Sequence, residues 1–331
     1  MKKFQVGILV ILVVVVGFVV WYNASQKNEL PVTSQPLKIG LNPWIGHGLY
    51  YVAKEKGFFE KKKVNVELTN FDAGEIGKQL INTNKVDALS LTPETVIILN
   101  DAGVKVKAVA MTDTSEGADG VIVSKDIKSI SDLKGKKVAF EVGSPSHFFL
   151  TYLLNQQGLT TNDLEVVNTA APDAGTSFVA GKVDAAVTWE PWLSKANERP
   201  GGYLLVNSKE TPILPAMPIF RTEVIESRPQ DIRAMLRALF DAREWILANQ
   251  NEAVKIMAKN FNITEQDVRD QLPTFRWFSY QENIDGFGSG QYSAKNLIQS
   301  AGDLWLKLGL SKTKVNANDL VDTSLLKNLY K

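Results

Sequence analysis

Two histidines lie 100 residues apart, and each ends a short loop that is followed by an apolar segment with helical periodicity. A loop that enters a helix presents unpaired backbone N–H groups and the positive end of the helix dipole, which suits a bound anion. The candidate donors in these two loops are Gly46, His47, Gly143, Ser144, Ser146 and His147. Either serine could instead cap its own helix, and either histidine could serve only in packing. The loops therefore predict a site for a sulfonate, nitrate or carboxylate group.

Three carboxylates and two tryptophans could complete such a site. Asp113, Asp119 and Glu190 would repel a bound inorganic anion, whereas they would pair with an ammonium group. Trp44 and Trp189 could enclose an alkyl chain or contact a cation through their ring faces, or they could pack in a core. Donors, acids and aromatic rings together favour an organic, zwitterionic ligand such as an aminosulfonate.

The elements that must position these residues form a repeat with a period of about 100 residues. Each unit reads as strand, helix, strand, helix and strand, over 38–94 and again over 137–192. The shared landmarks are the helix-ending glycines Gly57 and Gly158, the Asp-Ala-Gly tripeptides at 72–74 and 173–175, and Lys-Val-Asp-Ala at 85–88 and 182–185. The second helix is predicted to be four residues longer in the first unit. The pattern predicts two doubly wound α/β lobes with parallel sheets. The general features of βαβ units could also produce the same pattern without a true repeat.

The repeat also selects the loops that should carry the site, because ligands bind beyond the carboxyl ends of the strands in open α/β sheets. The loops predicted to face one another across a cleft are 42–47, 92–94, 143–147 and 189–191. Thr92 joins the candidate site on the second of these loops. Ser115 joins it on a segment that crosses between the lobes.

Two crossings between the lobes are expected, one near 113–120 and one near 214–221. Pro212, Pro215 and Pro218 exclude a helix at the second crossing. The predicted organisation places an N-terminal segment and linker at 1–36, a first lobe at 37–115 and 220–331, and a second lobe at 116–219.

The composition is that of an ordinary globular protein and limits the possible partners. The chain has 331 residues, of which 44% are hydrophobic, enough for two cores. Its 37 basic and 36 acidic residues give a net charge of +1, so there is no electrostatic reason to expect a nucleic acid. The absence of cysteine excludes disulfides, thiolate metal sites and a lipidated N-terminal cysteine. With only two histidines, a metal centre would depend on carboxylates, and no metal or cofactor is predicted.

The N-terminus predicts export. Lys2 and Lys3 precede an apolar run from Val6 to about Tyr22, which is typical of a secretion signal. The run is just long enough to span a membrane as a helix, and no small-x-small cleavage site follows it. A cleaved signal peptide and a retained membrane anchor therefore both remain open. Either one places the rest of the chain in the periplasm or on the outer face of the cytoplasmic membrane.

Four motifs occur together in an order that resembles one family of binding proteins. They are Pro43-Trp44-x-Gly46, Ala53-x-x-x-Gly57-Phe58-Phe59, Gly181-x-Val183-Asp184-Ala185 and Trp189-Glu190-Pro191. The combination is similar to the solute-binding proteins of ABC importers for nitrate, taurine and aliphatic sulfonates, over about residues 37–310. The same superfamily includes binding proteins for the thiamine pyrimidine precursor.

The resemblance implies a type II periplasmic binding protein, in which two lobes joined by two hinge strands close on a small-molecule ligand. Such a protein is expected to be a monomer without catalytic residues that delivers its ligand to membrane permease subunits. Alternative ligands are a thiamine-pyrimidine-like compound, nitrate or bicarbonate. Two other functions remain open: an enzyme on the same fold, and a ligand-binding sensor domain.

Overall fold

The computed structural model describes residues 35–290 and 293–330. The predicted N-terminal apolar segment and all but the end of the predicted linker lie outside the described residues. Within the described part of the chain, no helix is both long enough and apolar enough to cross a membrane.

The strands of the described residues form two sheets. In chain order they are β1 (Leu37–Leu41), β2 (Val66–Asn70), β3 (Ala88–Leu91), β4 (Val106–Ala108), β5 (Asp113–Ser115), β6 (Asp119–Val123), β7 (Lys137–Phe140), β8 (Glu165–Asn168), β9 (Ala185–Trp189), β10 (Tyr203–Asn207), β11 (Pro215–Arg221) and β12 (Phe275–Trp277). The first sheet has the order β12-β5-β11-β3-β1-β2, with β4 also paired to β11, and the second has the order β10-β6-β9-β7-β8. Each sheet and its helices form one lobe, so the predicted two-lobed α/β fold is confirmed. The prediction of parallel sheets is wrong in part, because both sheets are mixed: β11 pairs antiparallel with β3, and β6 pairs antiparallel with β9.

Helices pack around both sheets. In chain order they are α1 (Gly48–Glu55), α2 (Phe58–Lys61), α3 (Gly74–Asn82), α4 (Pro93–Asp101), α5 (Pro145–Gln156), α6 (Ala171–Val179), α7 (Thr222–Ser227), α8 (Pro229–Ala248), α9 (Gln250–Phe261), α10 (Glu265–Gln271), α11 (Tyr280–Gly286), α12 (Ala294–Lys307) and α13 (Ala317–Leu320). Pro93 and Pro145 each open a helix directly after a strand and its loop, at the position where a missing N–H costs no helical hydrogen bond.

The two repeat units have the same strand arrangement. Strand β1 pairs in parallel with both β2 and β3, and β7 pairs in parallel with both β8 and β9. The repeated aspartate of Lys-Val-Asp-Ala has the same structural role in each unit. The backbone N–H of Lys38 donates to Asp87 Oδ2, and that of Lys137 donates to Asp184 Oδ2, both at 2.9 Å. The aspartate thus fixes the start of the first strand, which explains its recurrence without any role in binding.

The predicted difference in helix length is wrong. Helices α3 and α6 each have nine residues. The Asp-Ala-Gly tripeptide ends at the first residue of α3, but it lies inside α6, which already begins at Ala171. The two tripeptides therefore occupy different helical positions, and their different spacing from Lys-Val-Asp-Ala does not measure helix length.

The two crossings between the lobes are hydrogen-bonded to each other. Ser115 Oγ lies 2.6 Å from Ser208 Oγ, and the latter accepts the N–H of Gly117 at 2.8 Å. The predicted lobe boundaries at 115/116 and 219/220 remain a prediction. Because β11 begins at Pro215 and pairs with β3 through Met217–Phe220, sheet membership favours a second boundary before Pro215.

The second lobe has a small separate apolar cluster on one side of its sheet. Its buried members are Ile122, Ala139, Ala174, Phe178, Val183, Ala186, Leu193 and Ala196. Phe178 on α6 is fully buried and is the only aromatic ring among these members. Phe178 is therefore the largest side chain of this cluster.

Candidate ligand-binding cleft

A cleft between the lobes consists of two adjoining cavities that share the side chains of Asn42, Leu91, Pro145 and Trp189. Leu91 and Trp189 end parallel strands, Asn42 directly follows one, and Pro145 lies in the loop after another. Parts of all four predicted loops therefore meet at the carboxyl ends of both sheets, as open α/β sheets require.

The first cavity, called here the Asp119 cavity, is lined by five polar side chains besides that carboxylate and Asn42. They are Trp44, His47, Ser90, Thr92 and Trp189. Among its described lining residues, Asp119 is the one acid and no lysine or arginine is present. Burial, followed by the nearby Asp113 charge, raises the pKa of Asp119 to about 7. A buried carboxylate that faces a cavity without a basic partner is stabilised by a ligand that brings a cation.

Two side-chain hydrogen bonds fix the loop that carries Trp44. Trp44 Nε1 donates to Asp113 Oδ1 at 2.6 Å, and Trp277 Nε1 donates to the carbonyl oxygen of Gly46 at 2.7 Å. A Cβ atom on Gly46 would lie 2.4 Å from Asp113 Oδ1, so only glycine fits there. Burial lowers the pKa of His47 to about 4, so its ring is neutral at pH 7. His47 can therefore offer the ligand a hydrogen bond but no positive charge.

The second cavity, called here the Lys78 cavity, lies between α3 of the first lobe and the start of α5 in the second. Lys78 Nζ donates to the carbonyl oxygen of Gly143 at 3.4 Å, and Glu141 Oε1 accepts the N–H of Gly74 at 2.7 Å. Ser144 lines this cavity and caps α5, since its Oγ accepts the N–H of His147 at 3.5 Å. The ammonium of Lys78, which also donates to Glu75, and the N-terminus of α5 are the two sources of positive potential in this cavity.

The lining of the whole cleft is acidic. Its charged side chains are Asp119 in the first cavity and Asp72, Lys78 and Glu141 in the second. Three carboxylates and one ammonium sum to a formal charge of −2 when all are ionised. A ligand that carries a cationic group reduces this charge, whereas a purely anionic ligand increases it.

The structure places six of the thirteen predicted site residues away from both cavities. Asp113 and Gly46 lie behind Trp44, and Ser115 lies in the crossing. Glu190 accepts the N–H of Ser194 at 3.1 Å and the hydroxyl of the same residue at 3.0 Å. The remaining two belong to α5: Ser146 is buried, and the His147 ring packs between Phe140 and Trp305 at 5.3 and 5.7 Å.

Sequence reasoning missed several lining residues, among them Glu141, Ser90 and Lys78. Glu141 directly follows β7, as Asn42 directly follows β1, so a stricter alignment of the two units would have found it. Ser90 lies within β3, where the alternation of side chains shows which face it occupies but not that a cavity is there. Lys78 lies in the middle of α3 and reaches the cleft only because the other lobe lies opposite.

The lobes are closed on each other. Besides the contacts of Lys78 and Glu141, Lys307 Nζ donates to Asn155 Oδ1 at 2.9 Å, and the Trp305 ring meets Phe148. The two cavities have volumes of about 30 and 20 Å³, which is space for roughly one water molecule each. An organic solute can therefore enter only when the lobes move apart.

Replacing Glu141 with alanine is expected to shift the lobes toward the open state. The change removes the carboxylate that accepts the Gly74 N–H across the cleft, a charged hydrogen bond that contributes about 1.5–3 kcal/mol. Because the chain has no cysteine, Lys61→Cys and Asn162→Cys give one exposed spin-label site in each lobe without background. Longer label–label distances in Glu141→Ala than in the exposed control Glu165→Ala are the expected result, and identical distributions would contradict it.

The Asp119→Asn variant is expected to gain stability relative to wild type as the pH rises. The folded-state pKa of Asp119 lies near 7, above its ordinary value near 4, so folding costs free energy wherever the carboxyl must be ionised. This cost is absent below about pH 4 and is complete above about pH 7. Thermal unfolding at pH 5.0 and 8.0 should show a Tm advantage for the variant that is larger at pH 8.0, by at least about 2 °C. Titration of His47 and His147 affects both proteins equally, so a constant difference in Tm would contradict the prediction.

Two α/β lobes with mixed sheets, joined by two crossings around a closed cleft, define a two-lobed solute-binding fold. The chain belongs to the NMT1/THI5-like family, whose model matches residues 44–253. It is 26% identical to a candidate aliphatic sulfonates-binding protein of Bacillus subtilis (strain 168), over 96% of this chain and 95% of that protein. It is 23% identical to the taurine-binding periplasmic protein of Escherichia coli (strain K12), over 66% of this chain and 71% of that protein.

A solved structure shows the same fold. The alkanesulfonate-binding protein SsuA from Xanthomonas axonopodis pv. citri, bound to MOPS, matches with a TM-score of 0.74 at 19% identity, over 89% of this chain and all of that one. The family and the fold predicted from the sequence motifs are thus confirmed.

Proposed function

We propose that this protein is the extracytoplasmic solute-binding component of an ABC importer. It binds a small organic solute between its lobes and delivers it to membrane permease subunits. The observation that carries the proposal is the closed interlobe cleft, with side chains from both lobes at the carboxyl ends of their strands. Relatives named for sulfonate and taurine binding support it, and the periplasmic relative supports an exported location.

The charges of the cleft favour a zwitterionic ligand of the aminoalkanesulfonate type. Its ammonium group pairs with Asp119, and its sulfonate group accepts hydrogen bonds from Lys78 and the start of α5. Trp189 lines both cavities and packs against the short alkyl chain between the two groups. This arrangement uses the acidic lining, which would weaken the binding of nitrate or a simple sulfonate.

Calorimetry with matched ligands tests the ligand class. Taurine and ethanesulfonate share a sulfonate and differ in the ammonium group, and ethylamine carries the cation alone. Taurine is expected to bind at least about 100-fold more tightly than either, since each loses one end of the ion-paired arrangement. Equal or tighter binding of ethanesulfonate or nitrate would contradict the zwitterion. If only an aminopyrimidine binds tightly, the protein is still the solute-binding component of an importer, but its ligand is not an aminoalkanesulfonate.

Recovery of the bound solute separates transport from catalysis. Binding and release by lobe motion leave the solute chemically unchanged. Mass spectrometry after several hours in the closed protein should return intact taurine. A product formed in the wild type but absent in Asp119→Asn would instead establish an enzyme on this fold.

A further inference from the structure

A further cavity, outside the cleft, lies in the first lobe and shares no lining residue with the Asp119 or Lys78 cavity. Its volume is about 300 Å³, which is at the lower end of the range for small-molecule sites. Its apolar lining comes from α8, α9, β12 and the residues before β12, and includes Ile246, Val254, Met257, Leu272, Phe275 and Trp277. Aromatic rings and a thioether in one wall suit a flat, polarisable ligand.

The polar rim of this cavity favours an uncharged ligand. Arg276 already donates to Glu116 Oε1 and Glu282 Oε1, both at 2.6 Å, and Arg243 donates to Glu244 Oε1 at 2.5 Å. Among the described lining residues, each charged side chain is therefore ion-paired. Gln250 adds an amide that can donate or accept a hydrogen bond. A hydroxyl or amide on the ligand can be satisfied here, whereas an ion would have to compete with the existing pairs.

The wall of this cavity also supports the loop that carries Trp44. The Phe275 ring meets the Trp44 ring edge to face at 5.7 Å. Trp277 Nε1 donates to the Gly46 carbonyl oxygen, and Met257 packs so closely on Gly48 that a Cβ there would lie 2.4 Å from its Cε. Three wall residues therefore contact three positions of the 44–48 loop, whose other side lines the cleft.

We infer that this cavity is a second ligand site, which takes an uncharged aromatic compound and couples its occupancy to the cleft through loop 44–48. The volume equals that of about ten water molecules at about 30 Å³ each, which admits a compound with one aromatic ring. Contact with Phe275 and Trp277 fixes the rings that position Trp44 and Gly46. A cleft ligand that prefers the same loop position then binds more tightly when the aromatic compound fills this cavity. By thermodynamic linkage, the aromatic compound also binds more tightly, by the same factor, when the cleft is filled.

Benzyl alcohol is a suitable probe, and the indole N–H signals of Trp44 and Trp277 in an NMR spectrum report on it without any cleft ligand. Both signals are expected to shift with one common saturation curve, because Trp44 lies in the supported loop and the indole N–H of Trp277 donates to Gly46 of that loop. Failure of the importer proposal would leave this result unchanged. Absence of saturation in the wild type would overturn the site, and a shift of Trp277 alone would overturn the coupling.

Two variants locate the site and the coupling. Leu247→Tyr blocks the rim at a residue that is 48% exposed, and Leu204→Tyr makes the same change at a 38% exposed leucine of the second lobe. Binding should weaken at least about tenfold in the first variant and stay at the wild-type value in the second.

Trp277→Phe keeps an aromatic wall but removes the hydrogen bond to Gly46. It should still bind benzyl alcohol, while the Trp44 signal shifts less than in the wild type, because the Phe275–Trp44 contact remains. Wild-type binding in Leu247→Tyr, or a full Trp44 response in Trp277→Phe, would overturn the proposal.

Discussion

Asp119→Asn is expected to weaken the binding of taurine by about 30- to 1,000-fold, equivalent to roughly 2–4 kcal/mol. The carboxylate lies in a cavity whose described lining contains no lysine or arginine, so the ligand's ammonium group is its natural partner. The asparagine side chain keeps the shape and a hydrogen-bond acceptor but removes the charge. The buried ammonium group would then have to give up water without an ion pair in return.

The ligand pair gives this prediction its control. Binding of ethanesulfonate should be unchanged or improved in Asp119→Asn, because the repelling carboxylate is gone while Lys78 and α5 remain. Asp126→Asn makes the same substitution at an exposed residue of the second lobe and should leave both affinities at their wild-type values. An equal loss for taurine and ethanesulfonate would point to disturbed closure rather than to recognition of the ammonium group.

Phe178→Ala is expected to lower the free energy of unfolding by about 3–5 kcal/mol. The ring is fully buried in a small cluster whose other members are alanine, valine, leucine and isoleucine side chains. Such small neighbours cannot move far enough to fill the space that the ring leaves, so most of the cavity would persist. The loss falls on the second lobe, because this cluster is separate from the larger core that both lobes share.

Phe278→Ala provides a matched control for urea denaturation. Both rings lie under a guanidinium, Phe178 at 4.6 Å from that of Arg199 and Phe278 at 4.4 Å from that of Arg276. Phe278 is only half-buried, so its replacement should cost clearly less. Equal losses in the two variants would show that the cation–π contact, rather than burial, determines the stability of these positions.

The fold was predictable because local rules and the repeat agreed. Alternating strand and helix patterns predict parallel sheets, and Lys-Val-Asp-Ala marks the same strand entry in both units through Asp87 and Asp184. The sequence pattern does not predict pairing between strands that lie far apart in the chain. Strand β11 runs antiparallel beside β3, β4 and β5, a placement that follows from the closure of the whole sheet and not from its own residues.

The site was predictable at the level of loops but not of side chains. Strand ends identify the loops, so Trp44, His47, Thr92 and Trp189 were found. Which atoms of a loop point into the cleft depends on its hydrogen bonds, and Glu190 is turned away by its bonds to Ser194. Lys78 extends from a helix of the first lobe to the second lobe. A contact between lobes cannot be predicted from the sequence of one helix.

The interleaved order of the strands determines which lobe can fold first during synthesis or export. The second sheet uses strands that follow one another within 119–207, so this lobe is complete as soon as that stretch has emerged. The first sheet must wait for β11, which fills its centre, and for β12 at its edge. Until residue 221 has emerged, β3 keeps one edge unpaired and open to other chains. The part of the first lobe that precedes the second lobe in the chain is therefore the segment that most needs a chaperone.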